Sequence, residues 1–571
     1  MKKNTDPSKK ENSSVNKPGL SRRNFIKLSA AAAAGAGIPV SKANAEVSDE
    51  LPPILPVPDK PGFEHLVVIM FENRSFDNIL GHLYPPGTVP DGQTFNGVAN
   101  GNYSNPSPDG PLEAHIYSGS TDVIMRSPSP DPGEEYPHVN TQLFGTVDPP
   151  GNADVEFKKM TAPFTSPPSG TVAKMDGFVK DYINNFIATE GRQPAREEYK
   201  VIMGSFSPDM LPVTSTLARN FAVYDAWFCG VPSQTFCNRS FFNASTSSGF
   251  VTNDGGEESY LKWERNIAPT IFNRLEDAGI SWAVYFDESQ VVSLTGFINI
   301  AALRPFWKTH FFGMKKFHED AAAGKLPAYV FTDPRLIFNH NDMHPPVPSF
   351  EFKEADGNTV VVGAMDDVRA GEKLLHEVYT SIRTSASLIG SNALNTMLLV
   401  TFDEHGGTYD HVPPPASVPP GPVEDPEMGF TFDRLGVRVP AIAISAWTKE
   451  GTIINDEMHH GSAIATLCRK YKMKHLTARD ESARDLTNAI NLNEPRQPWD
   501  WPETTPQYVP PNPEAFGPFT EAVASMPLTA PALSLLGMLT EKFGLPTDKK
   551  PATIGEAYEM LQRLGKGLFG E

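Results

Sequence analysis

Cysteine is almost missing from the chain: 571 residues hold three, Cys229, Cys237 and Cys468. That rules out a disulfide framework, and the spacings are not those of a zinc site. A single Cys229–Cys237 bridge and three unpaired buried thiols both remain open. Neither a GxGxxG nor a GKS/T phosphate loop occurs. No internal repeat and no basic block stand out. With a net charge of −19, the chain has nothing to neutralise a phosphate backbone, which argues against nucleic acid as a partner. The acidic total does not bar an anionic substrate, since a bound cation makes a locally positive site. What is present, 39% hydrophobic and 20% charged residues with 54 prolines, is the composition of a folded soluble protein with many ordered loops.

The N-terminus reads as an address. A polar, basic stretch leads to Ser21-Arg22-Arg23-Asn24-Phe25-Ile26-Lys27, an Ala-rich run over 28–40, and a small-residue cleavage pattern at Ala43-Asn44-Ala45. The run is too short and too weakly apolar to span a bilayer stably. Paired arginines before it resemble a twin-arginine (Tat) signal. Residues 1–45 are therefore expected to be a signal peptide read by the Tat export machinery, with the mature protein in the periplasm or outside the cell.

The strongest signal in the mature chain is HLVVIMFENRSFD, residues 65–77. Seven mostly branched or bulky apolar residues predict a strand buried on both faces. Its polar end, Glu72-Asn73-Arg74-Ser75-Phe76-Asp77, lies where α/β sheets collect ligands. A carboxylate beside an amide oxygen suits a hard cation; an ordinary turn or helix cap would use the same residues. A second stretch of this design, TMLLVTF (396–402), ends in Asp403-Glu404-His405-Gly406-Gly407-Thr408-Tyr409-Asp410-His411. Two acidic strand ends point to one shared cation, and Gly406 and Gly407 would let backbone approach a ligand closely.

Between these strands the pattern alternates in the α/β manner. Helices are expected over 175–186, 210–220, 270–278, 366–383 and 463–470, and strands over 221–228, 281–287, 328–331 and 439–445. Residues 85–170 read as loops and turns around the site, with His138 as a loop histidine. Thr235 sits where a loop enters a helix, and is either an N-cap or a nucleophile whose phosphoryl partner the helix N-terminus would hold. The expected fold is α/β, a mostly parallel central sheet flanked by helices with long loop insertions. The expected division is a signal peptide (1–45), a catalytic domain (46–492) and a Pro-rich extension with short peripheral helices (493–571).

Together Glu72–Asp77, the segment 235–239, Asn341-Asp342-Met343-His344-Pro345, the segment 401–411 and His460-Gly461-Ser462 resemble the bacterial phosphoesterase family. That family contains phosphatidylcholine-type phospholipases C and acid phosphatases. The resemblance covers roughly residues 63–476 and implies an alkaline-phosphatase-like fold. It implies a divalent cation, of unstated identity, held by Glu72, Asn73, Asp403 and Glu404, and a nucleophile, Thr235, that also contacts it. It makes Asn238, with Asn73, a phosphate-binding residue, and makes His344, His411, His460 and His138 candidates for phosphate contacts and proton transfer. Two departures stand out. Thr-Phe-Cys-Asn-Arg replaces the Thr-x-Pro-Asn-Arg common among the phospholipases, and residues 493–571 are too short and too poor in strand pattern for a C-terminal β-sandwich.

The chemistry so implied is metal-assisted hydrolysis of a phosphate ester through a phospho-threonine intermediate. A phospholipase C-type phosphodiesterase, with phospholipid as substrate and transient contact with a membrane surface, is the first expectation. An acid phosphatase is the second, and a secreted binding protein that has lost the chemistry the third.

Overall fold

The computed structural model describes residues 55–253, 260–337, 340–346, 351–353, 359–361, 367–507, 524–528, 530–542 and 551–570. The signal-peptide expectation falls outside them. Eight strands in chain order form the central sheet: β1 (His65–Phe71), β2 (Ala222–Tyr224), β3 (Trp282–Phe286), β4 (Phe311–Gly313), β5 (Tyr329–Asp333), β6 (Thr396–Phe402), β7 (Ala441–Ile444) and β8 (Thr452–Ile454). Their spatial order is β8-β2-β7-β6-β1-β5-β3-β4. All neighbours run parallel except those of β7, which opposes β6 and β2. The fold is thus α/β with a mostly parallel sheet.

Every residue of β6, and all of β1 after His65, is buried. Since successive side chains point to opposite faces, a strand buried throughout needs cover on both sides. The long helices are α1 (Tyr136–Phe144), α2 (Phe178–Glu190), α3 (Pro212–Asn220), α4 (Thr235–Ala244), α5 (Met314–Ala323), α6 (Val368–Arg383), α7 (Gly461–Lys470), α8 (Ala530–Lys542) and α9 (Ile554–Leu564). Helix α6 packs against α3 and α5, and α7 against α4.

The sequence expectations need three corrections. The segment 221–228 is not one strand. It breaks after Tyr224, and Trp227–Phe228 pairs separately with Met458–His459. Residues 85–170 are not loops alone. They contribute α1, which with α2 encloses a second, smaller core of Val139, Leu143, Phe178, Val179, Tyr182 and Met203. His138 therefore lies on a helix rather than a loop. Nor are the C-terminal helices peripheral. Leu535, Leu536, Leu539 and Leu561 are fully buried in the main core, and Phe569 stacks among Phe286, Phe311 and Trp307. The leucines of α8 leave water by packing against residues 260–265 and 294–298. All three cysteines are free and buried, so the Cys229–Cys237 bridge is not formed.

Candidate active site

Register builds the site. Strands β1 and β6 pair in parallel with Phe71 opposite Phe402, so Glu72 and Asp403 leave the sheet side by side at its carboxyl edge. The Asp403 amide donates to the Phe71 carbonyl at 3.1 Å. On the other side of β1, strand β5 ends at Asp333. Three acids from three adjacent strands thus converge because parallel strands all end in one direction.

Asn73 turns the chain through a left-handed conformation, φ 60°, which Asn tolerates better than most residues. Its amide donates to Asp403 Oδ1 at 3.2 Å. Its side-chain oxygen accepts from Thr235 Oγ1 at 3.3 Å, while its Nδ2 donates to Glu134. Thr235 is the first residue of α4, and Gln234, just before it, is the cap. The hydroxyl therefore lies at a helix N-terminus, where backbone dipoles favour an anion. The five residues expected at the cation, Glu72, Asn73, Thr235, Asp403 and Glu404, are brought together and fully buried.

The glycines after Glu404 permit close approach, but to the protein. Gly406 and Gly407 have φ of 58° and 64°. A Cβ on Gly406 would come within 2.2 Å of the Asn73 carbonyl oxygen, and one on Gly407 within 2.7 Å of that of Gly133. They let the β6 loop wrap the Glu72–Asn73 turn, correcting the expectation that they face a ligand.

Two site residues were not singled out from the sequence. Arg239, one helical turn after Thr235 on α4, places Nε 3.0 Å from Asp403 and NH2 3.0 Å from Glu72, with NH1 3.6 Å from Asp333. The four-residue spacing puts it on the same helix face as Thr235, a signal the sequence does carry. Glu134 comes from the chain just before α1; its Oε1 accepts from Gln234 Nε2 at 3.3 Å and it contacts Asn73. Nothing local in its Pro-rich surroundings marks it.

The charges do not balance. Glu72, Glu134, Asp403 and Glu404 are buried around one guanidinium, and burial pushes the pKa of each above the usual carboxylate range. Arg239 counters part of this for Glu72 and Asp403, whereas Asp403 adds to it for Glu404. Glu72 Oε1 is ion-paired with Arg239 at 3.0 Å, whereas Glu72 Oε2 and Glu404 Oε1 have no hydrogen-bond partner. Buried acids persist only if protonated, paired or coordinated. Oxygen donors lacking partners in such a cluster fit a divalent cation.

The remaining expected residues are placed differently. Asn238 does not face the cluster's acids: it accepts from the Val231 amide at 3.0 Å and donates to the carbonyls of Val231, Ser233 and Gln234, bracing the loop ahead of Thr235. His460 accepts from Trp227 Nε1 at 3.3 Å and donates through Nε2 to the Asp403 carbonyl at 2.6 Å. Burial lowers its pKa to about 4, so it is a neutral support for the strand end. His411 is bonded through Nδ1 to Asp77 at 2.6 Å and through Nε2 to Asn96 at 2.9 Å, beside Arg438, which pairs with Asp77 and Asp410. Ser75 caps the one-turn helix Phe76–Ile79. His344 donates through Nδ1 to the Pro345 carbonyl, and its Nε2, 3.9 Å from Glu134, has no hydrogen-bond partner. Burial brings its pKa to about 4.

His138 turns to Asp181 at 2.9 Å. Burial alone would lower its pKa, but Asp181 outweighs it and holds the imidazole up at about 9. A raised folded-state pKa gives stability that is complete below pH 6.5 and lost as pH rises through about 9. The shift is worth roughly 3 kcal/mol. Urea titrations across that window should show the wild type losing about this much more stability than His138→Gln. Parallel curves would mean that the pair carries no charge.

The phosphoesterase family profile matches residues 63–474, and a Tat-pathway signal profile matches residues 19–39. Among similar proteins, non-specific phospholipase C1 of Arabidopsis thaliana is 31% identical over 77% of this chain and 73% of its own length. Non-specific phospholipase C5 of the same plant is 32% identical over 77% and 76%. Phospholipase C B of Mycobacterium tuberculosis is 28% identical over 53% and 59%. Among solved structures, an alkaline phosphatase superfamily protein from Vibrio parahaemolyticus overlaps 49% of this chain and 65% of its own, with 12% identity and a TM-score of 0.28.

Proposed function

Because the chain belongs to the phosphoesterase family, we propose that it is a threonine-nucleophile phosphodiesterase of the phospholipase C type. Membership makes it a phosphoric ester hydrolase, and the twin-arginine signal sends it out of the cytoplasm. The observation that carries the finer reading is the set of buried acid oxygens without donors beside a hydroxyl at a helix N-terminus. Glu72, Asn73, Asp403 and Glu404 would hold a divalent cation, which when bound lowers the pKa of the Thr235 hydroxyl and offsets charge on the phosphoryl oxygens.

The chain's own residues do the rest. Asn73 fixes the Thr235 rotamer by accepting its proton in a hydrogen bond. Thr235 Oγ1 attacks phosphorus, the bond to the departing alcohol breaks, the hydroxyl proton ends on that alcohol, and a threonyl phosphodiester forms. Water then displaces the threonine and releases the phosphate monoester. The N-terminus of α4 stabilises the charge that develops on the phosphoryl oxygens. Arg239 holds Glu72 and Asp403 in register throughout.

Head-group specificity is tested by a substrate panel. Purified mature protein, with a series of divalent cations, should hydrolyse p-nitrophenyl phosphorylcholine and phosphatidylcholine faster than p-nitrophenyl phosphate. Preference for the monoester would make it an acid phosphatase. No cation-dependent turnover of any of the three would leave a binding protein.

A further inference from the structure

Glu134 and His344 are left over by that mechanism, and they lie together. His344 is wholly buried, and its Nδ1 is committed to the Pro345 carbonyl, which leaves the lone pair on Nε2. That nitrogen meets no donor and is 3.9 Å from Glu134 Oε2. Asp131 completes the group: one ligand atom from each of Asp131, Glu134 and His344 lies within 4.8 Å of the others. A lone pair with no donor, buried against carboxylates, is repelled unless the acid is protonated or a cation stands between them.

We infer that Asp131, Glu134 and His344 hold a second divalent cation, of the transition-metal class, next to the oxygen-only site of Glu72, Asn73, Asp403 and Glu404. Mixed carboxylate and imidazole donors select such ions over Mg2+ and Ca2+, which take oxygen alone. Ligand atoms around a tetrahedral ion with bonds of about 2.1 Å are roughly 3.4 Å apart. The 3.9 Å separation of Glu134 and His344 therefore closes with a small side-chain movement.

The site is built rather than incidental. Arg74 donates to the carbonyls of both Met343 and Ser127, fastening the segments that carry His344 and Asp131 to the β1 turn. The Asp342 carboxylate accepts from the His344 amide at 3.0 Å, while the Asp342 carbonyl accepts from the Glu72 amide at 2.8 Å. Glu134 is the bridge, since it also bonds to Asn73. The two cations would share that corner. The ligands follow from the geometry; their role in hydrolysis rests on the reading above.

Metal stoichiometry tests this independently of activity. The mature protein, stripped by chelator and reloaded with Co2+, should bind two ions per chain, and Mn2+-loaded protein should show imidazole-nitrogen coupling by pulsed electron paramagnetic resonance. His344→Ala should bind one ion and lose the nitrogen coupling; Glu72→Gln should keep the nitrogen-coupled ion. Asp131→Asn, with an unchanged circular-dichroism spectrum, stands in if His344→Ala does not fold. One ion in both wild type and His344→Ala, without nitrogen coupling, overturns the second site and leaves the hydrolase reading intact. One ion in the wild type that His344→Ala removes also overturns it, by making His344 a ligand of a single site. No ion in any variant overturns both readings.

Discussion

Thr235→Ala should reduce phosphodiester turnover by on the order of 10^4-fold or more, because it removes the hydroxyl that attacks phosphorus in this reading. The variant should still fold and still bind cation. Thr235 contributes one 3.3 Å hydrogen bond to Asn73, and its side chain caps no helix, since the N-cap position is held by Gln234. Asn73 retains its bonds to Asp403 and Glu134. The decisive measurement is kcat with p-nitrophenyl phosphorylcholine together with mass spectrometry of acid-quenched enzyme. Wild type should carry a phosphorylcholine group on the 235–239 peptide, and the variant none. Turnover within tenfold of wild type, or phosphorylcholine trapped on another residue, would remove Thr235 from the role.

Glu72→Gln should have opposite effects on catalysis and on the stability of the cation-free protein. Glu72 Oε2 has no hydrogen-bond partner, and burial holds the Glu72 pKa well above the carboxylate range despite Arg239 at Oε1. An acid whose pKa is raised by folding gives its full stability below the unfolded value of about 4.5 and loses it as pH rises above that. The cation-free wild type should therefore lose stability from pH 5 to pH 8, and Glu72→Gln should lose less, since the neutral amide keeps the shape without the charge. With cation present the order reverses. Wild type gains stability by mass action, about 2.7 kcal/mol at a hundredfold excess over Kd, and the variant gains little from the oxygen-only site. Because Lewis-acid stabilisation is worth several kcal/mol, kcat should fall on the order of 10^3-fold. Differential scanning fluorimetry with and without Mn2+ across this pH range reads both effects. A variant that is less stable than wild type without cation would show that Glu72 is held by Arg239 as a structural ion pair.

The central strands were legible because their sequence is extreme. His65–Phe71 and Thr396–Phe402 are apolar without alternation, and only strands covered on both faces tolerate that. Their acidic ends were legible for the same reason: polarity changes abruptly where the sheet stops. By contrast, 221–228 is equally apolar yet breaks at Asp225, which accepts from Asn96 and Asn455. Those partners lie more than a hundred residues away, and no local pattern contains them.

Histidines were the least legible residues. The resemblance offered four for one role, His138 the least securely placed, although hydrogen bonding separates them completely. Asp181 claims His138, the Asp403 carbonyl and Trp227 claim His460, and Asp77 and Asn96 claim His411. Only His344 keeps a buried nitrogen open. Asn238 shows the same limit, since an amide that suits a phosphate suits three carbonyls equally well.

By itself the sequence determined the fold class, the export address and the two strand ends that carry acids, since each depends on a contiguous pattern. The tertiary structure alone decided that Glu72 and Asp403 are neighbours, through the register of Phe71 against Phe402. It also decided that Arg239 sits among the acids, and that Glu134 leaves the α1 segment to join Asn73 and His344. Burial made the difference: an acid's chemistry depends on which charges and donors surround it once water is gone, and those come from distant parts of the chain.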